Sequence, residues 1–231
     1  MLRGLAGRWL PPCGYVAMLG MALLIGWIGI PAHACYTGLV NIPTAEVIGD
    51  GQCGVELQFD DTFGRGSSET HIVNTELGLG PRLEAGVDFD LSRDAETRLL
   101  LNAKYLLVTG DEKHPSLAVG ICNLGRHYSA VPYLATLQPL PGSQLHLGLT
   151  RIEDHGRWFI GLTHEVNDWL TLMGDYTSGS ENLATLGFNY QSTNRFGVMA
   201  GITLPNSSEE DTGFTIHFVW IGPFRHTEKG Q

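Results

Sequence analysis

Charged residues recur at alternate positions within otherwise apolar stretches of this sequence. Glu56 stands between Val55 and Leu57, and a similar alternation surrounds Glu84 and Asp88. Seven charged residues share this setting: Glu56, Glu84, Asp88, Arg98, Lys104, Glu165 and Asp175. Because alternate residues of a β-strand point to one face, we expect these side chains to share a polar surface. They would either pair with one another and stabilise that surface, or form a polar lining for a solute or a glycan.

Histidines and an acidic loop are candidates for catalysis or metal binding. Four histidines lie in the same stretches: His71, His146, His164 and His217. None has a serine or aspartate at a spacing that marks a catalytic triad, and the Cys/His spacing typical of a zinc site is absent. The acidic stretch 207–211 lacks the regular spacing of a calcium loop. The sequence therefore predicts no catalytic residue, no bound metal and no cofactor.

The elements that position these side chains are β-strands. Apolar and polar residues alternate through segments such as 82–90 and 97–108, which is the period of a strand with two different faces. Twelve strands are predicted, at residues 53–60, 70–79, 82–90, 97–108, 116–123, 128–137, 144–151, 157–165, 169–177, 182–191, 195–204 and 212–221. No helical periodicity of useful length follows residue 34. Strands joined by turns pair antiparallel, so the predicted fold is an up-and-down meander.

Two architectures fit such a meander, and they place the apolar face on opposite sides. A soluble sandwich or lipocalin-like barrel turns it inward, whereas a transmembrane barrel turns it toward lipid. Charged residues make up only 16% of the chain, and glycine accounts for 30 of its 231 residues. The polar face of the predicted strands therefore carries small side chains and few charges. Most predicted strands are long enough to cross a bilayer. We therefore predict an all-β antiparallel meander closed as a transmembrane β-barrel of about 12 strands, within a range of about 10 to 14.

Three tryptophans support the membrane alternative. Trp158 and Trp169 stand at the starts of successive predicted strands, and Trp220 stands at the end of the last. In an antiparallel meander Trp169 and Trp220 fall at one rim and Trp158 falls at the other. Aromatic residues at both rims are typical of membrane interfaces, so we expect these three side chains to contact outer-membrane lipid.

Residues 1–34 have the three parts of a secretory signal. Arg3 and Arg8 form the positive end, residues 15–30 form an apolar run, and residues 32–34 (AHA) supply a small-x-small cleavage site. Export through a cleaved signal peptide, together with a barrel fold, predicts the outer membrane of a Gram-negative bacterium. The alternatives are an uncleaved anchor and a lipidated Cys35.

Cleavage would leave three cysteines, Cys35, Cys53 and Cys122. An odd number does not describe a disulfide framework, so buried thiols are expected, with a Cys35–Cys53 bridge as the alternative in an oxidising compartment. The 24 acidic residues outnumber the 14 basic ones, and this acidic balance excludes nucleic acid as a partner.

A short motif precedes the first strand. The stretch 38–52 (GLVNIPTAEVIGDGQ) is too apolar for a linker, and Pro43 forbids a regular helix interior. Its motif positions are Gly38, Asn41, Pro43, Thr44 and Gly51. Asp50-Gly51 is a hairpin signal, which favours pairing of residues 44–48 with the first strand. The alternative is a segment folded into the barrel mouth as a partial plug.

This motif carries a resemblance to a known family. Residues 38–45 (GLVNIPTA), followed by Gly49-Asp50-Gly51 and a first amphipathic strand, resemble the opening segment of YjbH-type outer-membrane proteins. The resemblance rests on residues 38–60. It implies an outer-membrane β-barrel associated with exopolysaccharide production, and therefore a partnership with polysaccharide or its export machinery.

The expected organisation is a signal peptide at 1–34, a lead-in motif or partial plug at 35–52, a β-barrel at 53–224 and a polar tail at 225–231. The expected function is a non-enzymatic outer-membrane barrel, structural or channel-like, linked to exopolysaccharide production or export. One alternative is a soluble periplasmic β-barrel or sandwich that binds a carbohydrate or lipid. The other is an outer-membrane lipid-modifying enzyme.

Overall fold

The chain forms a closed β-barrel. The structure is a computed structural model that describes residues 38–64, 69–92, 97–125 and 128–224. Its strands are Gln52–Thr62 (β1), Thr70–Gly78 (β2), Leu83–Asp90 (β3), Arg98–Val108 (β4), Ser116–Leu124 (β5), Val131–Leu140 (β6), Ser143–Ile152 (β7), His155–Asn167 (β8), Leu170–Thr177 (β9), Leu183–Gln191 (β10), Phe196–Pro205 (β11) and Gly213–Pro223 (β12). Neighbours in sequence pair antiparallel, and β12 pairs with β1. The predicted all-β meander of about 12 strands is confirmed.

The seam between the first and last strands closes the sheet. β1 and β12 pair along their whole length, from Gln52↔Pro223 to Thr62↔Gly213. Each strand therefore has two hydrogen-bonded neighbours, as a barrel in lipid requires. The backbone N–H of Phe224 donates to Gly51 O at 2.9 Å. The start of β1 and the end of β12 thus lie at one rim, here called the lower rim, and the opposite rim is the upper rim.

The two faces of the sheet differ in polarity. In β7, Leu147 and Leu149 are exposed on the outer face, whereas His146 and Thr150 are buried on the inner face. Most of the other strands repeat this arrangement, so exposed Leu, Ile, Val, Phe, Tyr and Trp side chains cover most of the outer face of the barrel. A soluble barrel would turn these apolar side chains inward. The arrangement is that of a transmembrane barrel, with lipid-facing apolar residues and a polar interior.

The predicted interface tryptophans lie near the ends of strands. Trp158 is the fourth residue of β8, near the upper rim, and its ring centroid lies 5.2 Å from that of Tyr176. Trp169 lies in the lower turn between β8 and β9, with its ring 5.5 Å from that of Tyr190. Trp220 lies near the end of β12, close to the lower rim. Aromatic side chains therefore stand at both rims.

Two lower turns are shorter or more ordered than the sequence indicates. The connection around residues 138–144 reads as a long one, but β6 and β7 extend to leave a two-residue hairpin in which Gly142 has φ of +66°. The longer turn 109–115 is organised by Asp111, whose Oδ1 accepts from the N–H groups of Lys113 and His114. The His114 side chain and these bonds lower the pKa of Asp111 to about 2. Both turns are therefore compact.

The structure changes the interpretation of the cysteines. Cys53 lies at the lower end of β1, and Cys122 lies near the upper end of β5. Each of them is part of a disulfide bond. The expectation of buried thiols at these two positions is wrong, since no described cysteine is free. Cys35 lies outside the described residues, as do the signal segment 1–34 and the tail 225–231. No helix in the described part of the chain is long and apolar enough to cross a membrane.

The facing of the strands makes a prediction about charge substitutions. Leu147 lies in the middle of β7, is 39% exposed and pairs with mid-strand residues on both sides. We expect Leu147→Arg to destabilise the barrel in lipid by about 2–4 kcal/mol because the charge would face the bilayer interior. The free energy of unfolding from lipid vesicles would measure this.

The matched control is Leu140→Arg, an outward position at the lower end of β6. Because the cost of a charge falls toward the interface, we expect about 0–1 kcal/mol here. Equal losses of stability in the two variants would contradict the assigned depth.

Candidate functional site

The segment before β1 lies inside the barrel. Leu39, Ile42, Thr44 and Ile48 are 1–5% exposed, although they belong to no strand. At the tip of the segment, the N–H of Leu39 donates to Ile42 O at 2.9 Å, and Gly38 forms an isolated bridge with Pro43. We call residues 38–48 the plug. The interior of the barrel is thus filled by the chain's own polypeptide.

The plug does not pair with β1 as a strand. The neighbours of β1 are β2 and β12, so the hairpin favoured for residues 44–48 is not formed. The Asp50-Gly51 signal instead marks a turn in which the N–H of Gln52 donates to Gly49 O at 2.9 Å. Gly51 has φ of +71° there, a left-handed conformation that suits glycine. This turn leads the chain from the plug into β1.

Two residues of the opposite wall hold the tip of the plug. The backbone N–H of Asn41 donates to Asp175 Oδ2 at 2.9 Å, and its side-chain Nδ2 donates to Thr185 Oγ1 at 2.6 Å. Asp175 lies on β9 and Thr185 on β10. Thr44 has a local role, since its Oγ1 accepts from the N–H of Glu46 at 3.3 Å. Asn41 therefore connects the plug tip to the barrel through both its backbone and its side chain.

A buried ion pair holds the base of the plug. Lys104 Nζ lies 3.3 Å from Glu84 Oε1, and both side chains are less than 5% exposed. Lys104 Nζ also donates to Glu46 O at 2.8 Å, while Glu84 Oε2 accepts from the N–H of Ile48 at 2.7 Å. The ion pair on β3 and β4 therefore binds both a backbone N–H and a backbone C=O of the plug.

The other side of the plug is apolar. Leu39, Ile42 and Ala45 pack into one buried cluster with residues of β4, β5, β6 and β8. The wall members of this cluster are Leu106, Ala118, Cys122, Tyr133, Ala135, Leu137 and Phe159. Small residues make room at this wall: a side chain at Gly161 would begin 2.7 Å from Ile42 Cδ1 and 2.8 Å from Leu39 Cδ2. The plug thus packs on an apolar wall and hydrogen-bonds to a polar one.

The polar wall is a network across β1 to β5. Asn74 Nδ2 donates to Glu56 Oε1 at 2.7 Å, and Asn102 Nδ2 donates to Asp88 Oδ2. Asn102 Oδ1 accepts from the N–H of Asn123 at 3.0 Å. All five residues are less than 7% exposed. Each of these two carboxylates therefore accepts from an amide on the neighbouring strand.

Two of the seven predicted charged positions lie apart from the plug. Arg98 is at the upper end of β4, where its Nη1 donates to Tyr128 OH at 2.8 Å and Tyr128 OH donates to Asp90 Oδ2. Glu165 is exposed near the lower end of β8, beside a register shift. The structure brings Glu84 and Lys104 together, and places Glu56, Asp88 and Asp175 at other buried positions of the lumen.

A hydroxyl, an imidazole and a carboxylate form a chain on the seam side of the lumen. Thr215 Oγ1 lies 2.6 Å from His217 Nε2, and His217 Nδ1 lies 3.0 Å from Glu56 Oε1. This order of groups is that of a nucleophile, a general base and an orienting acid. All three residues are at most 3% exposed, and none lines the cavity described next. Sequence spacing missed the chain because Glu56 and His217 meet only through barrel closure.

A cavity of about 800 Å³ opens between the plug and the upper rim. The plug residues Leu39 to Pro43 form its floor, and Tyr128, Tyr133 and Phe159 contribute aromatic groups to its walls. Six acidic residues also line it: Asp60, Asp61, Glu153, Glu181, Glu210 and Asp211. Glu181 is paired, since Arg157 Nε lies 2.5 Å from its Oε1 and lowers its pKa. We call this cavity the vestibule; its described walls include both aromatic and acidic side chains.

Several residues of the site gave no signal in the sequence. Thr185 and Asn74 lie on the polar face of their strands but carry no charge, and Gly161 is one of 30 glycines. Their inward position follows from the alternation once the strands are known, but their partners depend on the register of distant strands.

The close approach of the plug to Gly161 makes a prediction. Gly161→Val should displace the plug tip and destabilise the protein by about 1–3 kcal/mol, because the new side chain would overlap Ile42 and Leu39. Faster hydrogen exchange at the Asn41 amide would report the displacement. The control is Gly156→Val on the same strand, where a Cβ meets nothing within 4 Å. Unchanged exchange at Asn41 in Gly161→Val would show that the tip is not held at this point.

The ion pair at the base makes a second prediction. Lys104→Met should destabilise the protein by about 3–5 kcal/mol because Glu84 would remain buried without its ammonium partner. The double variant Lys104→Met/Glu84→Gln should lose less than the sum of the two single changes, since the introduced amide is neutral and its oxygen still accepts from the N–H of Ile48. A double-mutant cycle on the unfolding free energy would measure the coupling. Additive losses would mean that the two side chains do not act as a pair.

Comparison with known proteins supports the fold. No protein-family model matches the chain, and no curated protein sequence matches it. Among solved structures, a NanC porin structure in a rhombohedral crystal form covers 73% of this chain and 98% of that chain, with a TM-score of 0.52 and 9% identity. A loop L8 deletion mutant of OmpT, an outer membrane protein of Vibrio cholerae, covers 75% and 100%, with a TM-score of 0.40 and 10% identity. At 9% identity the likeness to NanC shows a shared β-barrel fold.

Proposed function

We propose that this chain is a non-enzymatic β-barrel of the outer membrane of a Gram-negative bacterium, exported through a cleaved signal peptide, that acts as a plugged, channel-like component. The apolar outer face supports the membrane location because such a face is stable only against lipid or another apolar surface. It also counts against the soluble periplasmic alternative, whose apolar face would point inward.

The observation that carries the channel proposal is the buried plug. The plug is held by hydrogen bonds at Asp175, Thr185, Glu84 and Lys104 and by apolar packing on the facing wall, rather than by strand pairing. A few such bonds, each contributing about 0.5–1.5 kcal/mol or somewhat more when charged, separate more readily than a barrel strand. The plug is therefore the element whose displacement would connect the vestibule to the lower rim.

We also propose a link to exopolysaccharide production or export. The YjbH resemblance rests on residues 38–60, and its opening motif, 38–45, lies within the plug that occupies the lumen. The vestibule adds support because aromatic rings and carboxylates side by side suit a hydroxyl-rich ligand. Polysaccharide or its export machinery is the partner this predicts.

A second candidate function is a lipid-modifying hydrolase, favoured by the Thr215–His217–Glu56 chain. The hydroxyl, the imidazole and the carboxylate follow one another in the order that acyl transfer requires. The three side chains are nevertheless buried inside the barrel, away from the outer face that lipid contacts. We therefore assign them to hydrogen bonding within the lumen wall.

Planar-bilayer recordings would test the channel. We expect low conductance from the whole protein and a several-fold higher conductance from a variant that lacks residues 38–48, since removal of the plug leaves an open lumen. Heat-modifiable gel migration would establish that both proteins form barrels. Equal conductance, or release of the protein from membranes by carbonate, would contradict the proposal.

The same preparations separate the two candidate functions. Lipid turnover by the whole protein that disappears in Thr215→Val would support the hydrolase. Thr215→Val is nearly isosteric, so barrel formation provides the control. We expect no turnover in either protein.

A further inference from the structure

Three oxygen atoms on β2 and β3 lie buried in the lumen without a hydrogen-bond partner among the described residues: Asn74 Oδ1, Glu76 Oε2 and Asp88 Oδ1. Asn74 and Asp88 are direct cross-strand partners, and their side chains share the inner face. Glu76 follows on the same face of β2, two residues further along. The three side chains are at most 2% exposed. Together we call them the β2–β3 trio.

The position of Glu76 is set by its neighbour. Gly86 pairs with Glu76 across the strands, and a Cβ at Gly86 would overlap the Glu76 carboxylate. The carboxylate therefore occupies the space where the side chain of residue 86 would begin. Gly86 lies between Glu84 and Asp88 on the same face of β3, so the Glu76 carboxylate lies on the stretch of wall between these two acidic residues.

The hydrogen bonds of Asn74 and Asp88 use other atoms of these side chains, so the oxygens of the trio are left as acceptors. Asn74 uses Nδ2 to donate to Glu56, and Asp88 uses Oδ2 to accept from Asn102. Lys104 pairs with Glu84 and donates to the plug backbone. A buried carboxylate oxygen without a donor or a counter-ion is costly, and buried charges in proteins are paired or bind metal ions. The trio therefore has the composition of an acceptor site for a positive ligand.

We propose that the β2–β3 trio binds a monovalent alkali-metal cation in the lumen. Amide and carboxylate oxygens are hard ligands, which suit hard cations rather than transition metals. Calcium takes six to eight oxygen ligands and magnesium demands a near-ideal octahedron, whereas the trio supplies three protein oxygens. Water would complete the shell of a weakly held monovalent ion. The trio contains two carboxylates, so it differs from clusters of three or more His, Cys, Asp or Glu arranged for a metal, which are absent from the described residues.

This inference goes beyond the channel proposal because the site does not require the plug to move. A bound cation would lie beside Glu84, to which the base of the plug is attached. It would offset negative charge on the polar wall without using Lys104. The site would therefore stabilise the barrel in its plugged form.

Crystals of the whole protein soaked in rubidium or thallium(I) salts test the site directly. We expect an anomalous peak within coordination distance of Asn74, Glu76 and Asp88. A clear map without a peak at the trio would overturn the proposal. The soak uses the native chain, so it does not depend on whether a variant folds.

Thermal unfolding in detergent provides the second test. We expect the midpoint to be a few degrees higher in sodium or potassium chloride than in choline chloride at equal ionic strength, because a ligand that binds the folded state stabilises it. The difference should disappear in Glu76→Gln and in Gly86→Ala, which keeps the charge but displaces the carboxylate. It should persist in Asp111→Asn, an exposed control in the turn 109–115.

Two outcomes of the thermal test would contradict the cation site. Equal midpoints in choline and alkali salts would show that protons or water satisfy the trio. A salt difference of the same size in Glu76→Gln would place the cation elsewhere.

Discussion

The structure depends on one requirement: the backbone N–H and C=O groups of a non-strand segment inside a barrel need hydrogen-bond partners. Neighbouring strands pair the N–H and C=O groups of a strand in a regular ladder, but the plug has no such ladder. Buried backbone groups without partners would cost free energy comparable to lost hydrogen bonds. The wall residues Asp175, Glu84 and Lys104 supply those partners, with carboxylates for N–H groups and an ammonium for a carbonyl. The positions of these three charges in the lumen follow from this requirement.

The two walls of the lumen differ in polarity. On the side of β5 to β8, Ala118, Ala135 and Gly161 are small enough for the apolar side chains of the plug to approach the sheet. On the side of β1 to β4, amides such as Asn74 and Asn102 separate the carboxylates and donate to them. The plug has apolar side chains and polar backbone groups. The barrel accommodates both because its interior is polar on one side and apolar on the other.

Much of the fold could be predicted from the sequence, because a period of two is a local property. All twelve strands were predicted, with ends that differ from the observed ones by about three residues or fewer, as at β6, predicted at 128–137 and observed at Val131–Leu140. The partners within the site could not be predicted in the same way. Glu56 and His217 meet at the seam, and Asn41 meets Asp175 across the lumen, so each contact depends on the register of the closed sheet. Arg98 and Glu165 share the pattern of the other charged residues, but depth along the strand separates them from the plug.

The closing seam joins the first strand to the last, and the plug immediately precedes that first strand. The backbone of Asn41 contacts a residue 134 positions away, and β1 pairs with β12 across nearly the whole described chain. Contacts of such sequence separation form late because the loop between them must first be closed. Sheet closure and enclosure of the plug are therefore coupled, because the strand that directly follows the plug is the strand with which the last strand pairs.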